Sequence, residues 1–161
     1  MDDMATWSDV VRDAPEFAKA VQERFDAHRH KTLATLRRDG GPRISGIEVT
    51  FADGELWLGM MYGSRKASDL LHDSRLALHS ATVDPKMADG DAKIAGRAVE
   101  VTDHATVDAF IGPTGEEPPE PFHLFRVDIK EAVLIRIGDP PDHLVIETWR
   151  ENEGLQRVER R

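Results

Sequence analysis

The sequence predicts a mainly β protein, a closed antiparallel barrel flanked by short helices. Two observations carry this. About seven short β-prone runs follow one another in hairpin order, separated by Gly-containing turns. The helical segments between them are few and short, which leaves little room for the crossovers of a doubly wound sheet. Length agrees: 161 residues, 40% of them hydrophobic, suit one domain over 1–161 with a real core. That core spans about 15–150, with terminal segments at 1–14 and 151–161.

Taken in order, PEFAKAVQERFDAHR (15–29) predicts a helix, because Phe17, Val21 and Phe25 recur every four residues and Pro15 suits a first turn. KTLATLRR (31–38), RISGIEVTF (43–51) and ELWLGMM (55–61) predict three strands joined by DGGP and ADG turns. A short helix follows at 65–73, with Leu70 and Leu71 as its expected core contacts. RLALHSAT (75–82) alternates as a strand, VDPKMADGD (83–91) is a polar loop, and KIAGRAVEVT (93–102) returns to strand. Gly96 inside that strand suggests a bulge or a close backbone approach. HATVDAFIG (104–112) predicts another helix, stopped at Gly112. PTGEEPPEP (113–121) is an extended acidic loop. FHLFRVDI (122–129), AVLIRIG (132–138) and HLVIETWR (143–150) predict three further strands. The charged tail ENEGLQRVERR is expected to fray or to dock on a partner.

Charge and composition exclude several functions. A net charge of −9 opposes a nucleic-acid partner or an anionic membrane surface, both of which need clustered Lys and Arg. No apolar run reaches the roughly 20 residues of a membrane span, and the first residues lack the apolar stretch of a secretion signal. Cysteine is absent, so thiolate catalysis and Cys-based metal sites are excluded. The expectation is a cytoplasmic protein. His28, His30, His72 and His79 show no metal-ligand spacing, so no metal is expected. Glu116 and Glu117 read as solvated, and no G-x-S-x-G elbow supports a hydrolase.

The informative stretch is YGSRKASDLL (62–71). Ser64 stands where a helix N-cap belongs, and Arg65 and Lys66 fill the first turn. That end of a helix carries partial positive charge and ordinarily prefers acids. Free backbone N–H groups there bind anions, phosphate especially, and Arg adds a bidentate fork. The competing explanation is two solvated cations paired with Asp69 or Asp73. Neither a P-loop nor a dinucleotide fingerprint is present. Tyr62, the single tyrosine, is a candidate to close over a cofactor or to pack at the barrel rim. Trp57 and Trp149 are candidates for the core, with the dimer interface open to Trp57 and the cofactor groove to Trp149.

Residues 32–78 resemble the pyridoxamine 5′-phosphate oxidase-like family, the FMN-binding split barrels. TLAT (32–35), the DGxP turn of Asp39, Gly40 and Pro42, GSRK (63–66) and the L..DSR.AL run ending at Leu78 carry the resemblance, with GRAVEV (96–101) and FRVDI (125–129) after them. It covers roughly 15–150. The resemblance implies a six-stranded split barrel that forms a homodimer, with FMN in grooves at the interface. Arg65 and Lys66 then match the ligands of the FMN phosphate, with Ser64 beside them as a further cofactor-binding candidate. Ser45 and Thr50 fall where the family places an Arg and a Lys. Ile47, Glu48 and Val49 would run along the flavin ring, and Gly59 and Met60 match cofactor-facing positions on the next strand. Asp91 falls near a flavin-contacting Gln of the oxidases.

The implied activity is hydride transfer between the flavin and an unknown small substrate. Ile135 and Glu147 stand where the oxidases carry a Trp and an Arg, and Glu147 opposes an anionic vitamin phosphate. Two alternatives remain open. One is a reductase using the deazaflavin F420, which also carries a phosphate. The other is a non-enzymatic module that binds flavin, or no cofactor at all, and acts through interaction.

Overall fold

The computed structural model describes residues 4–114 and 121–161. The stretch 115–120, with Glu116 and Glu117, lies outside them, so the acidic loop expected there is largely outside the description. Two helices come first, α1 (Trp7–Asp13) and α2 (Pro15–Asp26). Strands β1 (Lys31–Leu36), β2 (Pro42–Ile47), β3 (Val49–Ala52) and β4 (Glu55–Met61) follow, then α3 (Arg65–His72). The chain continues through β5 (Arg75–His79), β6 (Asp91–Glu100), α4 (His104–Thr114), β7 (Phe122–Ile137), β8 (Leu144–Arg150) and β9 (Gly154–Arg160).

All strand pairs are antiparallel and form one sheet in the order β2-β1-β5-β6-β7-β4-β3, with β8 beside β7 and β9 beside β8. The two ends of the main path, β2 and β3, are separated in sequence only by Glu48. The barrel is therefore split there. The outer edges of β2 and β3 have no strand partner among the described residues. Split-barrel architecture agrees with what the family resemblance implies and corrects the closed barrel, and among the described residues the strands number nine rather than six.

Local chemistry explains the elements. Asp53 and Gly54 both have positive φ, 53° and 74°, as a two-residue turn between β3 and β4 requires. Gly96 sits at the register shift between β6 and β7, where an added Cβ would lie 2.0 Å from the Asp128 carbonyl oxygen. Phe17, Val21 and Phe25 all turn inward from α2. Trp7 and Phe25 both meet Phe51, with ring centroids 4.7 and 6.0 Å apart. Trp149, Phe25 and Phe125 are fully buried, and each such side chain contributes about 1.5–3 kcal/mol.

Several expectations are corrected. The segments 122–129 and 132–138 form one continuous strand, β7, whose first half pairs with β4 and second half with β8. The strand over 43–51 breaks at Glu48. The first helix ends at Asp26, the strand from Arg75 ends at His79, and α4 runs past Gly112 to Thr114. The described parts of both terminal segments are tied to the fold. Thr6 caps α1 through a reciprocal box with Asp9, and Ala5 exchanges backbone hydrogen bonds with Ile129. The charged tail is strand β9. No helix among the described residues is long and apolar enough to cross a membrane.

Candidate functional site

The turn from β4 into α3 forms as its residues dictate. Gly63 adopts φ +71°, which favours glycine. The Ser64 N–H donates to the Met61 carbonyl at 3.1 Å. Ser64 is the N-cap, and its hydroxyl oxygen accepts from the Ala67 N–H. The N–H groups of Arg65 and Lys66 belong to the first turn, which has no intrahelical acceptors. Neither expected carboxylate partner serves the cations. Asp73 is taken by Arg75, whose hydrogen bonds hold its pKa at about 2.

Asp69 points the other way. It is buried, and its Oδ2 accepts from Thr35 Oγ1 and from Arg43 Nε, each at 2.7 Å. Thr35 and Arg43 face each other across β1 and β2, so the strand register presents both donors to one face of α3. Burial alone would raise the Asp69 carboxyl. The bonds from Arg43 and Thr35, with the charges of Arg43 and Arg37, outweigh burial and hold it below the usual value. Leu70 is buried beside it, but Leu71 is exposed, so Ala67 and Asp69 take the inward positions expected of Leu71.

Arg65 is exposed, and its side chain makes no ion pair or hydrogen bond within the described residues. Lys66 is half-buried and its Nζ donates to the Gly46 carbonyl on β2 at 3.0 Å. Ser45 is half-buried on the same face of β2 as Arg43 and Ile47, the face against which α3 packs. Lys66 thus holds the start of α3 against β2 at the residue next to Ser45, and the Arg65 side chain stands open to solvent there.

The remaining predicted residues divide in two. Ile47, Val49 and Met60 send their side chains into the core. Met60 thus does not present its side chain to a groove, and Trp57 is buried within the chain. Glu48, Thr50 and Gly59 face outward. Glu48 pairs with Arg29 at 2.7 Å. Thr50 lies opposite Trp57, whose ring stands 6.2 Å from that of Phe110 on α4. Phe110 also lies over Gly59. The pairing of Val49 with Leu58 brings Glu48 level with Gly59, next to the turn that leads to α3. Asp91 instead lines a separate cavity of about 200 Å³ with α2 and the loop before β6.

Sequence reasoning missed one neighbour of the turn. His123, at the start of β7, is buried beneath Tyr62, its ring nearly parallel to the tyrosine at 4.9 Å between centroids. Tyr62 itself is 67% exposed. The alternation of FHLFRVDI could have flagged a histidine on a buried face.

The model of the family described as pyridoxamine 5′-phosphate oxidase matches residues 17–136. Among solved structures the chain is similar to a pyridoxamine 5′-phosphate oxidase-related, FMN binding protein from Nostoc punctiforme. Identity is 14%, over 92% of this chain and 96% of that one, with a TM-score of 0.65. It is also similar to a protein related to general stress protein 26, of the pyridoxinephosphate oxidase family, from Clostridium acetobutylicum. There identity is 18%, over 86% and 96% of the two chains, with a TM-score of 0.63. HutZ, a heme storage protein from Vibrio cholerae, shares the fold at 20% identity over 73% and 90%, with a TM-score of 0.56. At these identities the solved structures speak for the fold alone. No curated protein matches the chain.

Proposed function

Since the chain belongs to the pyridoxamine 5′-phosphate oxidase family, we propose that it binds FMN at the split of its barrel and works as a flavin-dependent oxidoreductase. The observation that carries this is the asymmetry of α3. Its carboxylate is buried and neutralised by Arg43, while Arg65 and the first-turn N–H groups remain open to an anion.

The residues fit the group. Ser64, Arg65, Lys66 and Ser45 would hold the phosphate. β2 and β3 each have one edge with no strand partner among the described residues, so those backbone N–H and C=O groups of Ile47, Glu48, Val49 and Thr50 that point away from β1 and β4 would be available to the ring. The backbone of Gly59 and Met60 would complete that side. Bound flavin supplies hydride acceptance and donation. The chain's own part is electrostatic and positional: Lys66 ties the helix to β2, Arg65 attracts the anion, and Glu48 is kept engaged by Arg29.

Homodimerisation is part of this reading. Ile44, Met61 and Tyr62 are large apolar or aromatic side chains left exposed beside the site, which supports burial against a second copy. The substrate is a small molecule other than an anionic vitamin phosphate, because Glu147 and its partner Arg136 add no free positive charge.

Fluorescence titration of the purified protein with FMN and with F420 tests the proposal. Saturable FMN binding that collapses in Arg65→Ala/Lys66→Ala is the expected result. Binding of F420 in its place moves the protein to the deazaflavin reductases. Binding of neither removes the oxidoreductase reading and leaves an interaction module.

A further inference from the structure

Three strands and the α3 turn meet at His123. Its register partner on β4 is Met60, two residues before Tyr62. Glu100, the last residue of β6, places Oε1 2.9 Å from His123 Nδ1. On the other side of the ring, the Gly63 N–H donates to Nε2 at 3.4 Å. Tyr62 covers one face, and Phe125 lies 5.9 Å from the ring centroid.

These contacts fix a tautomer. Nε2 accepts from Gly63 only when it carries no proton, so the ring proton sits on Nδ1 and is donated to the Glu100 carboxylate. We infer that His123, oriented by Glu100, is a positioning residue for the anion-binding turn: its Nε2 holds the Gly63 N–H, and through it the left-handed turn that delivers Ser64 and the first N–H groups of α3. This rests on the phosphate site proposed above.

The geometry is that of a support acting through the backbone. His123 is buried, while Gly63 has open space around its α-carbon, so the turn is not held by packing at Gly63 itself. The bond from Gly63 to His123 is its one hydrogen bond to a side chain among the described residues.

Comparing FMN with riboflavin, which lacks the phosphate, tests the role. Three variants serve. His123→Phe keeps a flat ring under Tyr62 and removes the acceptor. Glu100→Ala removes the orienting carboxylate from a half-exposed position. His123→Gln restores an acceptor oxygen. Loss of one such bond predicts FMN affinity about fivefold weaker in the first two, riboflavin affinity unchanged, and the preference for FMN largely restored in His123→Gln. In the unliganded protein, nitrogen NMR should find His123 protonated on Nδ1, and exchange of the Gly63 amide should quicken in His123→Phe and Glu100→Ala.

Equal weakening of FMN and riboflavin would show mere structural damage and overturn the inference. So would an Nε2-protonated ring, or unchanged Gly63 exchange. Should Arg65→Ala/Lys66→Ala leave the preference for FMN over riboflavin intact, the phosphate site itself is wrong and the role of His123 falls with it. Failure confined to the His123 and Glu100 variants leaves that site standing.

Discussion

The two faces of α3 treat charge in opposite ways. On the inner face Asp69 is buried, and both donors that reach it come from paired strands. On the outer end Arg65 and Lys66 stand at the positive pole of the helix, with no carboxylate beside them among the described residues. A charge that is fully partnered within the chain holds the fold. A charge placed against the local field and left open costs a little stability and awaits a ligand. One eight-residue helix does both, and the buried side fixes where the open side points.

The largest effect is expected on the inner face. Asp69→Ala leaves the half-buried Arg43 without its partner and should cost about 3–5 kcal/mol in urea unfolding. An effect below about 1 kcal/mol would mean that Arg43 finds water and that the anchor is dispensable. The same carboxylate should govern part of the acid sensitivity. Folding lowers its pKa from 3.8, so the folded state binds that proton less well than the unfolded chain. Its contribution is fully present above 3.8 and disappears as pH falls through the lower folded value. The stability gap between wild type and Asp69→Asn should therefore narrow as pH falls below 3.8.

Thr35→Val removes one donor while Arg43 remains, and the expected cost is about 1.5 kcal/mol. The outer face should respond in the opposite sense. Arg65→Ala/Lys66→Ala is expected to leave unfolding stability within about 0.5 kcal/mol and to weaken FMN binding at least about tenfold. A large stability loss there would erase the contrast between the two faces. The smallest effect belongs to Glu48→Ala, which breaks an exposed pair with Arg29 and should change stability by less than about 0.5 kcal/mol.

The sequence made the open face readable and hid the buried one. Ser64 before two cations, after a strand and a glycine, is a local pattern, and local patterns survive without coordinates. Asp69 belongs to the same ten residues, but its partners lie 26 and 34 positions away in the chain. Distance in sequence made it look like a partner for Arg65. His123 escaped notice for the same reason, 60 residues from Gly63. Elements were lost where periodicity fails. Every side chain of β9 is at least partly exposed, so no alternation marks it as a strand. Helix α1 is too short for a convincing period, although Thr6-x-x-Asp9 was a usable cap signal. Strand β7 looked like two because polar residues, Lys130 and Glu131, sit at its register shift against β6, between the part that pairs with β4 and the part that pairs with β8.

Strand β9 also bears on how the molecule behaves in a crowded solution. Without it, β8 would offer its backbone along Leu144, Val145 and Ile146 to any passing strand. With it in place the outermost strand carries Gln156, Arg157, Glu159 and Arg160. Charged residues on an outermost strand discourage other chains from extending the sheet. The tail is thus a guard against aggregation, and a chain cut before Gly154 should precipitate at concentrations where the full chain stays dispersed.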